Sequence, residues 1–160
     1  MLNYRANGKL LLTSEYAITQ GAKGLALPTR FGQKIHYHPN LEGNAIFWSS
    51  IGHDAQEWFW AEISLSLEVL RTSNEKVAKR LLKNLQIVKS HSSLLDKPVS
   101  FKTELEFPAE WGLGTSSTFT SLLAQCAQVD PLETFKNAHG GSGYDLACAK
   151  ADGPITYQLI

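Results

Sequence analysis

The apolar residues in the first part of the chain are spaced as they are in β-strands. The run KLLLTSEYAI, residues 9–18, is too apolar for an exposed strand and predicts a buried one. Further strands are predicted at 25–38, 45–50 and 58–67, separated by turn residues such as Pro, Asn and Gly. We therefore expect the N-terminal part of the protein to be mainly β.

Helical periodicity begins in the middle of the chain. Thr72 and Glu75 have the spacing of a capping box, which predicts a helix that starts at Thr72 and ends near residue 90. One face of this helix carries apolar residues at helical spacing: Val77, Leu81, Leu85 and Val88. Another face carries four basic residues: Lys76, Lys79, Arg80 and Lys83. This basic stripe is typical of a solvated helix face, and RNA or a phosphate tail is the alternative that it leaves open.

The second half of the chain mixes both patterns. The segment VSFKTELEF, residues 99–107, alternates between apolar and polar positions and predicts a half-buried strand. Helices are predicted at 115–129, 132–138 and 145–150, and a last strand at 155–160. Strands and helices mixed in 160 residues indicate a single domain of the α+β class.

Composition and charge narrow the function classes. Fifteen Lys and Arg residues balance fifteen Asp and Glu residues, so the chain has no overall field that would collect nucleic acid or an anionic membrane. No apolar run is long enough to span a bilayer, and the first residues lack the apolar core of a signal peptide, which predicts a cytoplasmic protein. Cys126 and Cys148 lack the spacing of metal ligands and are predicted to be buried thiols.

A glycine loop before a predicted helix is the first segment that could bind a ligand. In FPAEWGLGTSST, residues 107–118, two glycines allow an anion to approach the backbone, and the helix start presents unpaired N–H groups. The hydroxyls of Thr115, Ser116 and Ser117 could contact phosphate oxygens or a magnesium ion. An ordinary loop and helix cap explains the same letters equally well.

Two further segments carry charged residues next to glycines. Lys9 follows Gly8 at the start of the first predicted strand, and in a regular strand it would share a face with Glu15. Asp145 follows a glycine-rich loop at a predicted helix start, where an acid commonly acts as a cap. Taken singly, each segment is explained by a structural role: an ion pair or exposed lysine for the first, and a cap for the second.

In this order, the three segments resemble the motifs of the GHMP kinases, the family of galactokinase, homoserine kinase, mevalonate kinase and phosphomevalonate kinase. Residues 6–21, ANGKLLLTSEYAITQG, resemble the first motif, and residues 108–118 resemble the Pro-x3-Gly-Leu-Gly-Ser-Ser-Ala motif. Residues 142–147, SGYDLA, resemble the segment with the catalytic acid and are similar to a bacterial subgroup with Gly-Tyr-Asp-Ile-Ala. The resemblance implies an α+β fold like domain 2 of ribosomal protein S5, a mixed sheet with helices packed on one side.

The resemblance also implies an ATP-dependent kinase that uses Mg²⁺ and phosphorylates a small alcohol or phosphorylated alcohol, with the mevalonate pathway preferred. By resemblance, the ATP phosphates would be held by a loop of seven residues: Trp111, Gly112, Leu113, Gly114, Thr115, Ser116 and Ser117. Asp145 would accept the proton of the substrate hydroxyl, with Lys9 beside it. Glu15, Ser142 and Gly143 would contact the substrate. Magnesium would be held by Ser116 or Ser117 and by Glu133, which lies one residue from the position that matches the family's magnesium-binding glutamate.

Several departures from the family pattern leave alternatives open. Asn7 replaces a proline, and Thr13-Ser14 stands where a glycine usually precedes Glu15. No third, glycine-rich motif occurs before Ile160, so we expect residues 1–160 to be the N-terminal, ATP-binding domain of a longer kinase that lacks its C-terminal domain here. A relative of mevalonate diphosphate decarboxylase and a non-catalytic nucleotide- or RNA-binding module remain as alternatives. The expected partners are ATP and the small molecule, without nucleic acid or membrane, and a homodimer is left open.

Two other groups of side chains have simpler interpretations. His36 and His38 share a face of the second predicted strand, but two ligands do not complete a metal site, so an exposed face is favoured. The aromatic run Trp58, Phe59 and Trp60 is interpreted as alternating core packing, with a substrate or interface contact as the alternative.

Overall fold

A computed structural model describes the protein at residues 2–40, 43–139 and 142–160, without the side chains of 136–139. The described residues form one mixed sheet with α-helices packed against it. The strands are β1 Leu2–Leu11, β2 Gly24–Pro39, β3 Ala45–Ile51, β4 Glu57–Ser64, β5 Val69–Thr72, β6 Val99–Leu105 and β7 Ile155–Tyr157. The α-helices are α1 Glu75–His91, α2 Thr115–Ala127, α3 Pro131–His139 and α4 Tyr144–Ala149. Short 3₁₀ turns occur at Ala17–Gln20, Ser93–Leu95 and Ala109–Trp111.

The sheet has the strand order β1-β2-β6-β3-β4-β5, and β7 pairs with the first residues of β2. Neighbouring strands are antiparallel except β3 and β6, which are parallel. A parallel pair needs a crossover, and here β4, β5 and α1 supply it. The mixed sheet and the α+β class predicted from the sequence are confirmed.

The hydrophobic core lies between one face of the sheet and the helices. Strand residues that point to this face are fully buried, as Ile35, Ile46 and Ile63 show, and they meet the buried Leu85 of α1 and Leu122 of α2. The residues that alternate with them along the strands lie on the other face of the sheet and are more exposed, as Phe47, Trp60 and Lys102 show. The period-2 alternation of the strands thus separates the two faces of the sheet.

The first strand does not lie where the apolar run predicts it. β1 begins at Leu2 and ends at Leu11, and the chain turns away at Ser14, which has a φ of 65°. Ile18 is buried, but it belongs to the 3₁₀ turn Ala17–Gln20 and not to a strand. The prediction of a strand over 9–18 was therefore wrong, because pairing with β2 recruits the more polar residues 2–8 and a turn buries the later apolar ones.

The start of α1 also differs from the prediction. Asn74 is the N-cap, and its side-chain oxygen accepts hydrogen bonds from the N–H groups of Lys76 and Val77. The Thr72 hydroxyl oxygen accepts one from the N–H of Asn74 instead, so the proposed capping box of Thr72 and Glu75 does not form. Asn74, two residues closer to the periodic segment, satisfies the orphan amides of the first turn instead.

Most remaining predicted elements are confirmed to within a few residues. The segment predicted as one strand at 58–67 is divided, since β4 ends at Ser64 and Leu67 is buried from a turn with a φ of 64° before β5. The last strand, β7, ends at Tyr157. Cys126 and Cys148 are both buried and free, as predicted. Within the described part of the chain, no helix is long and apolar enough to cross a membrane.

Candidate functional site

A glycine in β1 lets a distant loop lie against the strand. The pairing of β1 with β2 shifts register between Asn7 and Lys9, and Gly8 is buried at this shift. A Cβ on Gly8 would lie 2.6 Å from Thr29 Oγ1 and 3.1 Å from the carbonyl oxygen of Leu113. Since real Cβ atoms do not approach so closely, a glycine is required for this contact. The neighbouring N–H of Lys9 then donates to the Leu113 carbonyl at 2.9 Å.

The loop that meets β1 is the turn in front of α2. Gly112 and Gly114 have φ values of 68° and 85°, in the left-handed region that glycine adopts without strain. Gly114 is the N-cap of α2, no side chain among the described residues caps this helix, and its first turn carries no acid. The first N–H groups of α2 therefore point out of the helix start with their partial positive charge, which favours an anion there.

The side chain of Lys9 runs under this turn. A Cβ on Gly114 would lie 3.1 Å from both Cγ and Cε of Lys9, so the ammonium is one bond away from atoms in contact with the turn. The ammonium donates a 2.8 Å hydrogen bond to the hydroxyl of Tyr144 and lies 5.2 Å from the centroid of its ring. Lys9 thus connects β1, the glycine turn and the start of α4.

Asp145 lies next to this contact, at the second residue of α4. Its carboxylate is half-buried, and Oδ1 accepts a 3.0 Å hydrogen bond from the N–H of Leu146. Burial raises the pKa of the Cys148 thiol, the positive charge of Lys9 lowers it and the negative charge of Asp145 raises it. Burial and the charge of Asp145 also raise the pKa of Tyr157. The charges of Lys9 and Asp145 therefore both reach the Cys148 thiol in α4.

Lys9 and Asp145, which are both described, are not joined by an ion pair. The ion pairs found among the described side chains involve Arg5, Lys34, His36 and Lys102 with Glu104 or Glu106. Sequence reasoning expected Lys9 beside Asp145, and the structure brings them to one end of α4 with Tyr144 as the direct partner of the ammonium. Tyr144 is the residue that the sequence analysis missed, although it lies inside the SGYDLA segment.

The hydroxyl residues at the start of α2 differ in what they can bind. Ser117 is buried, and its hydroxyl donates to the carbonyl of Gly114 at 2.9 Å. Ser116 is exposed, and Thr115 is half-buried. Trp111 is 55% exposed and meets the ring of Phe31 edge to face at 5.8 Å. Of the two serines, Ser116 is the one whose hydroxyl remains available to a phosphate or a metal ion.

The predicted substrate residues are in different surroundings. Gly143 has a φ of 84°, and a Cβ there would lie 2.6 Å from Leu132 Cδ2, so its backbone requires glycine. Ser142 is 4% exposed, and its hydroxyl has no hydrogen-bond partner among the described residues. Glu15 is exposed beyond the end of β1 and does not share a strand face with Lys9, which corrects the expectation from strand spacing.

The predicted magnesium ligands do not form a protein-only metal centre. Glu133 is exposed in the first turn of α3, and its N–H donates to Asp130 Oδ1 at 2.9 Å. No group of three His, Cys, Asp or Glu side chains converges as metal ligands in the described part of the chain. Mg²⁺ usually takes one or two protein ligands together with phosphate oxygens, so the exposed Ser116 hydroxyl fits an ion that arrives with a nucleotide. The roles of Ser116, Ser117 and Glu133 stay predictions.

A charged network that the sequence analysis did not anticipate joins β1 and β2 to the end of β6. Glu106 accepts hydrogen bonds from Arg5 at 2.8 Å, from Lys34 at 2.9 Å and from the N–H of Gly32 at 2.9 Å. Burial would raise the pKa of Glu106, but the hydrogen bonds and the charge of Arg5 outweigh it, and the pKa falls from 4.5 to about 2. Because Arg5 also donates to the Arg30 carbonyl, the network holds the strand segment opposite Gly8.

His36 and His38 lie on the face of the sheet away from the helices. They line an open depression with Phe47, Trp60 and Lys102 among others. His36 contacts Asn3 and Glu104, which accounts for it as part of a polar sheet face. Trp58 is 58% exposed and Trp60 36%, while Phe59 is buried, so the aromatic run alternates as predicted, with one core residue and two residues on the other face.

Comparison with known proteins gives matches in structure and none in sequence. No known family model matches the chain, and no curated protein matches its sequence. Three solved structures illustrate the structural matches. Mevalonate kinase from Methanococcus jannaschii is 14% identical with a TM-score of 0.69, over 99% of this chain and 53% of that one.

The second structure is Streptococcus pneumoniae phosphomevalonate kinase in complex with phosphomevalonate and AMPPNP, at 17% identity and a TM-score of 0.68, covering 99% of this chain and 50% of that chain. The third is Lactococcus lactis galactokinase complexed with galactose, at 14% identity and a TM-score of 0.64, covering 91% and 40%. The chain spans about half the length of the kinases it matches. At these identities the comparison establishes the fold: this chain is similar in fold to GHMP kinases, with the α+β architecture of their N-terminal domain.

Proposed function

We propose that this chain is the nucleotide-binding part of an ATP-dependent small-molecule kinase. One observation carries the proposal: the Lys9 ammonium, the uncapped first turn of α2 and the start of α4 with Asp145 converge at one place. A cation beside a helix N-terminus that lacks acids is suited to phosphate groups. An acid at the adjacent helix start is suited to a proton.

The glycine turn and the start of α2 would hold the ATP phosphates, as the resemblance in residues 108–118 implies. Gly112 leaves the backbone open on its outer side, since no atom of the described residues lies within 4 Å of a Cβ built there. The Lys9 ammonium would neutralise phosphate charge from below the turn. Mg²⁺, when bound with the nucleotide, supplies further charge neutralisation, with Ser116 as a hydroxyl ligand and Glu133 as a candidate partner. That a structural neighbour was solved with AMPPNP supports this choice of ligand.

In the proposed reaction Asp145 accepts the proton of the substrate hydroxyl while the hydroxyl oxygen attacks the terminal phosphorus of ATP. The bond between that phosphorus and the bridging oxygen of ADP breaks, and Lys9 stabilises the negative charge on the transferred group. Positioning and charge neutralisation supply most of the rate in such transfers. Ser142, Gly143 and Glu15 are the residues of this chain that we assign to the substrate side.

The substrate class is an alcohol or a phosphorylated alcohol of small size, with mevalonate or phosphomevalonate preferred. Two observations support this class: residues 6–21 lack the Gly-Glu-His-Thr-Asp pattern of galactokinases, and structural neighbours include mevalonate and phosphomevalonate kinases. A relative that phosphorylates and decarboxylates mevalonate diphosphate is the alternative on the same fold. A substrate panel with Mg·ATP distinguishes these two, because only the decarboxylating enzyme releases carbon dioxide.

Titration of the 160-residue chain with Mg·AMPPNP, followed by calorimetry, tests the nucleotide site. We expect saturable binding that weakens by roughly tenfold or more in Lys9→Met, since a hydrogen bond to a charged group is lost while the apolar stem is kept. Lys79→Met, on the exposed face of α1, is the matched control and should bind as the unmodified chain does. Absence of binding up to about 5 mM, above the usual KM range of roughly 1 μM to 1 mM, would overturn the proposal.

A further inference from the structure

Tyr144 contacts the Lys9 ammonium through its hydroxyl. The hydroxyl oxygen accepts a hydrogen bond from Nζ at 2.8 Å, which is a normal hydrogen-bond length. The ring centroid lies 5.2 Å from Nζ, so the ammonium sits beyond the hydroxyl end of the ring and not over its face. Tyr144 is the first residue of α4, half-buried, and Gly143 before it has a φ of 84° that sets the direction of the helix start.

The stem of Lys9 is held from the opposite side. Its Cγ and Cε atoms lie 3.1 Å from the place that a Cβ on Gly114 would occupy, and its backbone N–H is bonded to Leu113. The side chain is therefore confined between the glycine turn and the ring of Tyr144. A lysine with four rotatable bonds would otherwise sample many positions, and this confinement removes much of that freedom.

The chemical nature of the partner matters for the charge at the site. A carboxylate that paired with Lys9 would cancel its charge, and Asp145 is one residue from Tyr144. A neutral hydroxyl accepts the hydrogen bond without cancelling the charge. The ammonium thus keeps its full charge beside the start of α2, and the carboxylate of Asp145 is not engaged by it.

We propose that Tyr144 is a positioning residue for Lys9, which holds the ammonium at the N-terminal end of α2 and apart from Asp145. The use of that ammonium for the phosphates of a nucleotide rests on the function proposed above. The contact itself does not, because it can be measured on the chain without any ligand.

The first experiment measures the reactivity of Lys9 alone. The chain is treated with a limiting amount of an acetylating reagent, and the acetylated fraction at Lys9 is quantified by mass spectrometry relative to the exposed Lys79. Tyr144→Phe keeps the ring and removes the hydroxyl, and we expect Lys9 to react about fivefold faster in this variant because one hydrogen bond to the ammonium is lost. Tyr144→Leu removes the hydroxyl together with the ring and should increase the rate at least as much. Tyr16→Phe, at a tyrosine that is 83% exposed, is the matched control and should change nothing.

The second experiment measures whether Tyr144 acts through Lys9. Affinity for Mg·AMPPNP is determined for Tyr144→Phe, for Lys9→Met and for the double variant, with circular dichroism as the check of folding. If Tyr144 positions Lys9, Tyr144→Phe weakens binding by several fold when Lys9 is present and has no further effect in the Lys9→Met background. A residue with only a structural role would lower affinity equally in both backgrounds, and that result would overturn the inference.

The two experiments separate this inference from the proposed function. If the unmodified chain does not bind Mg·AMPPNP but Lys9 reacts faster in Tyr144→Phe, the contact stands and the nucleotide function fails. If the chain binds the nucleotide and the reactivity of Lys9 is the same in Tyr144→Phe as in the unmodified chain, the positioning role of Tyr144 is wrong while the nucleotide function stands.

Discussion

The backbone N–H of Lys9 donates a 2.9 Å hydrogen bond to the carbonyl oxygen of Leu113, between β1 and the glycine turn in front of α2. This bond places the two segments in contact although most of the chain separates them. It depends on Gly8, because a side chain there would collide with Leu113 and Thr29. The lysine and the helix start that we assign to one anion site are therefore joined through the backbone before any ligand binds.

Gly114 and Gly112 provide a matched pair of substitutions. Both have a positive φ, so alanine at either position should cost roughly 1–2 kcal/mol of stability. At Gly114 the new Cβ would also lie 2.7 Å from Ser117 Oγ and 3.1 Å from two Lys9 carbons, whereas no described atom lies within 4 Å at Gly112. We expect Gly114→Ala to be the less stable variant in urea unfolding and to lose affinity for Mg·AMPPNP.

Gly112→Ala serves as the control for backbone strain without collision. It should lose stability but retain most of its nucleotide affinity. Equal loss of affinity in the two variants would contradict the assignment of the Lys9 and Ser117 contacts to the site, and would point to strain in the turn as the common cause.

Asp145→Asn tests the proposed base. The amide keeps the size and the hydrogen bond to the N–H of Leu146 but cannot accept a proton at neutral pH. In a turnover assay with Mg·ATP and the identified substrate, we expect the rate to fall by about 10²-fold or more with little change in the affinity for Mg·AMPPNP. Turnover within threefold of the unmodified protein would exclude Asp145 as the base.

The low pKa of Glu106 leads us to expect that the stability of the fold depends on pH. Its pKa in the folded protein is about 2, compared with an ordinary value of 4.5, so its contribution is fully present above pH 4.5 and is lost as the pH falls towards 2. The difference in free energy of unfolding between the unmodified chain and Glu106→Gln should therefore be large at pH 6 and should shrink between about pH 4.5 and 2.

Urea unfolding at several pH values measures this difference. Glu68→Gln is the control, since Glu68 is exposed in the turn between β4 and β5 and forms no ion pair among the described residues. A difference between Glu106→Gln and the unmodified chain that does not vary with pH would show that the ionised form of Glu106 is not what stabilises the fold.

Two caps of α1 can be compared by mutation: Asn74, which the structure shows, and the box of Thr72 and Glu75, which the sequence pattern predicts. Because Asn74 accepts from two N–H groups of the first turn, Asn74→Ala should lower the stability by about 1 kcal/mol. Glu75→Ala, which would abolish a capping box with Thr72, should lower the stability by only a few tenths of a kcal/mol. Thermal melting of both variants gives the comparison, and a larger loss for Glu75→Ala than for Asn74→Ala would contradict the assignment of Asn74 as the cap.

The order and type of most elements could be predicted from the spacing of apolar residues. The helices with Leu85 and Leu122 and the strand that starts at Val99 lie within a few residues of their predicted bounds. In these segments a single face is apolar, and one period, 3.6 or 2, fits the residues better than the other. Around residues 2–8 and 12–18 neither period is clear, and long-range pairing with β2 and a local turn decided the outcome.

Local patterns were enough to predict the α+β class, the glycine turn before α2 and the acid after a glycine at α4, because these depend on periodicity and on the special conformations of glycine. They did not predict which groups meet in the folded protein: Lys9 with Tyr144, Leu113 with the backbone of β1, and Glu106 with Arg5 and Lys34. Strand pairing and helix packing fix the distance between segments far apart in the chain, and no local pattern contains that distance.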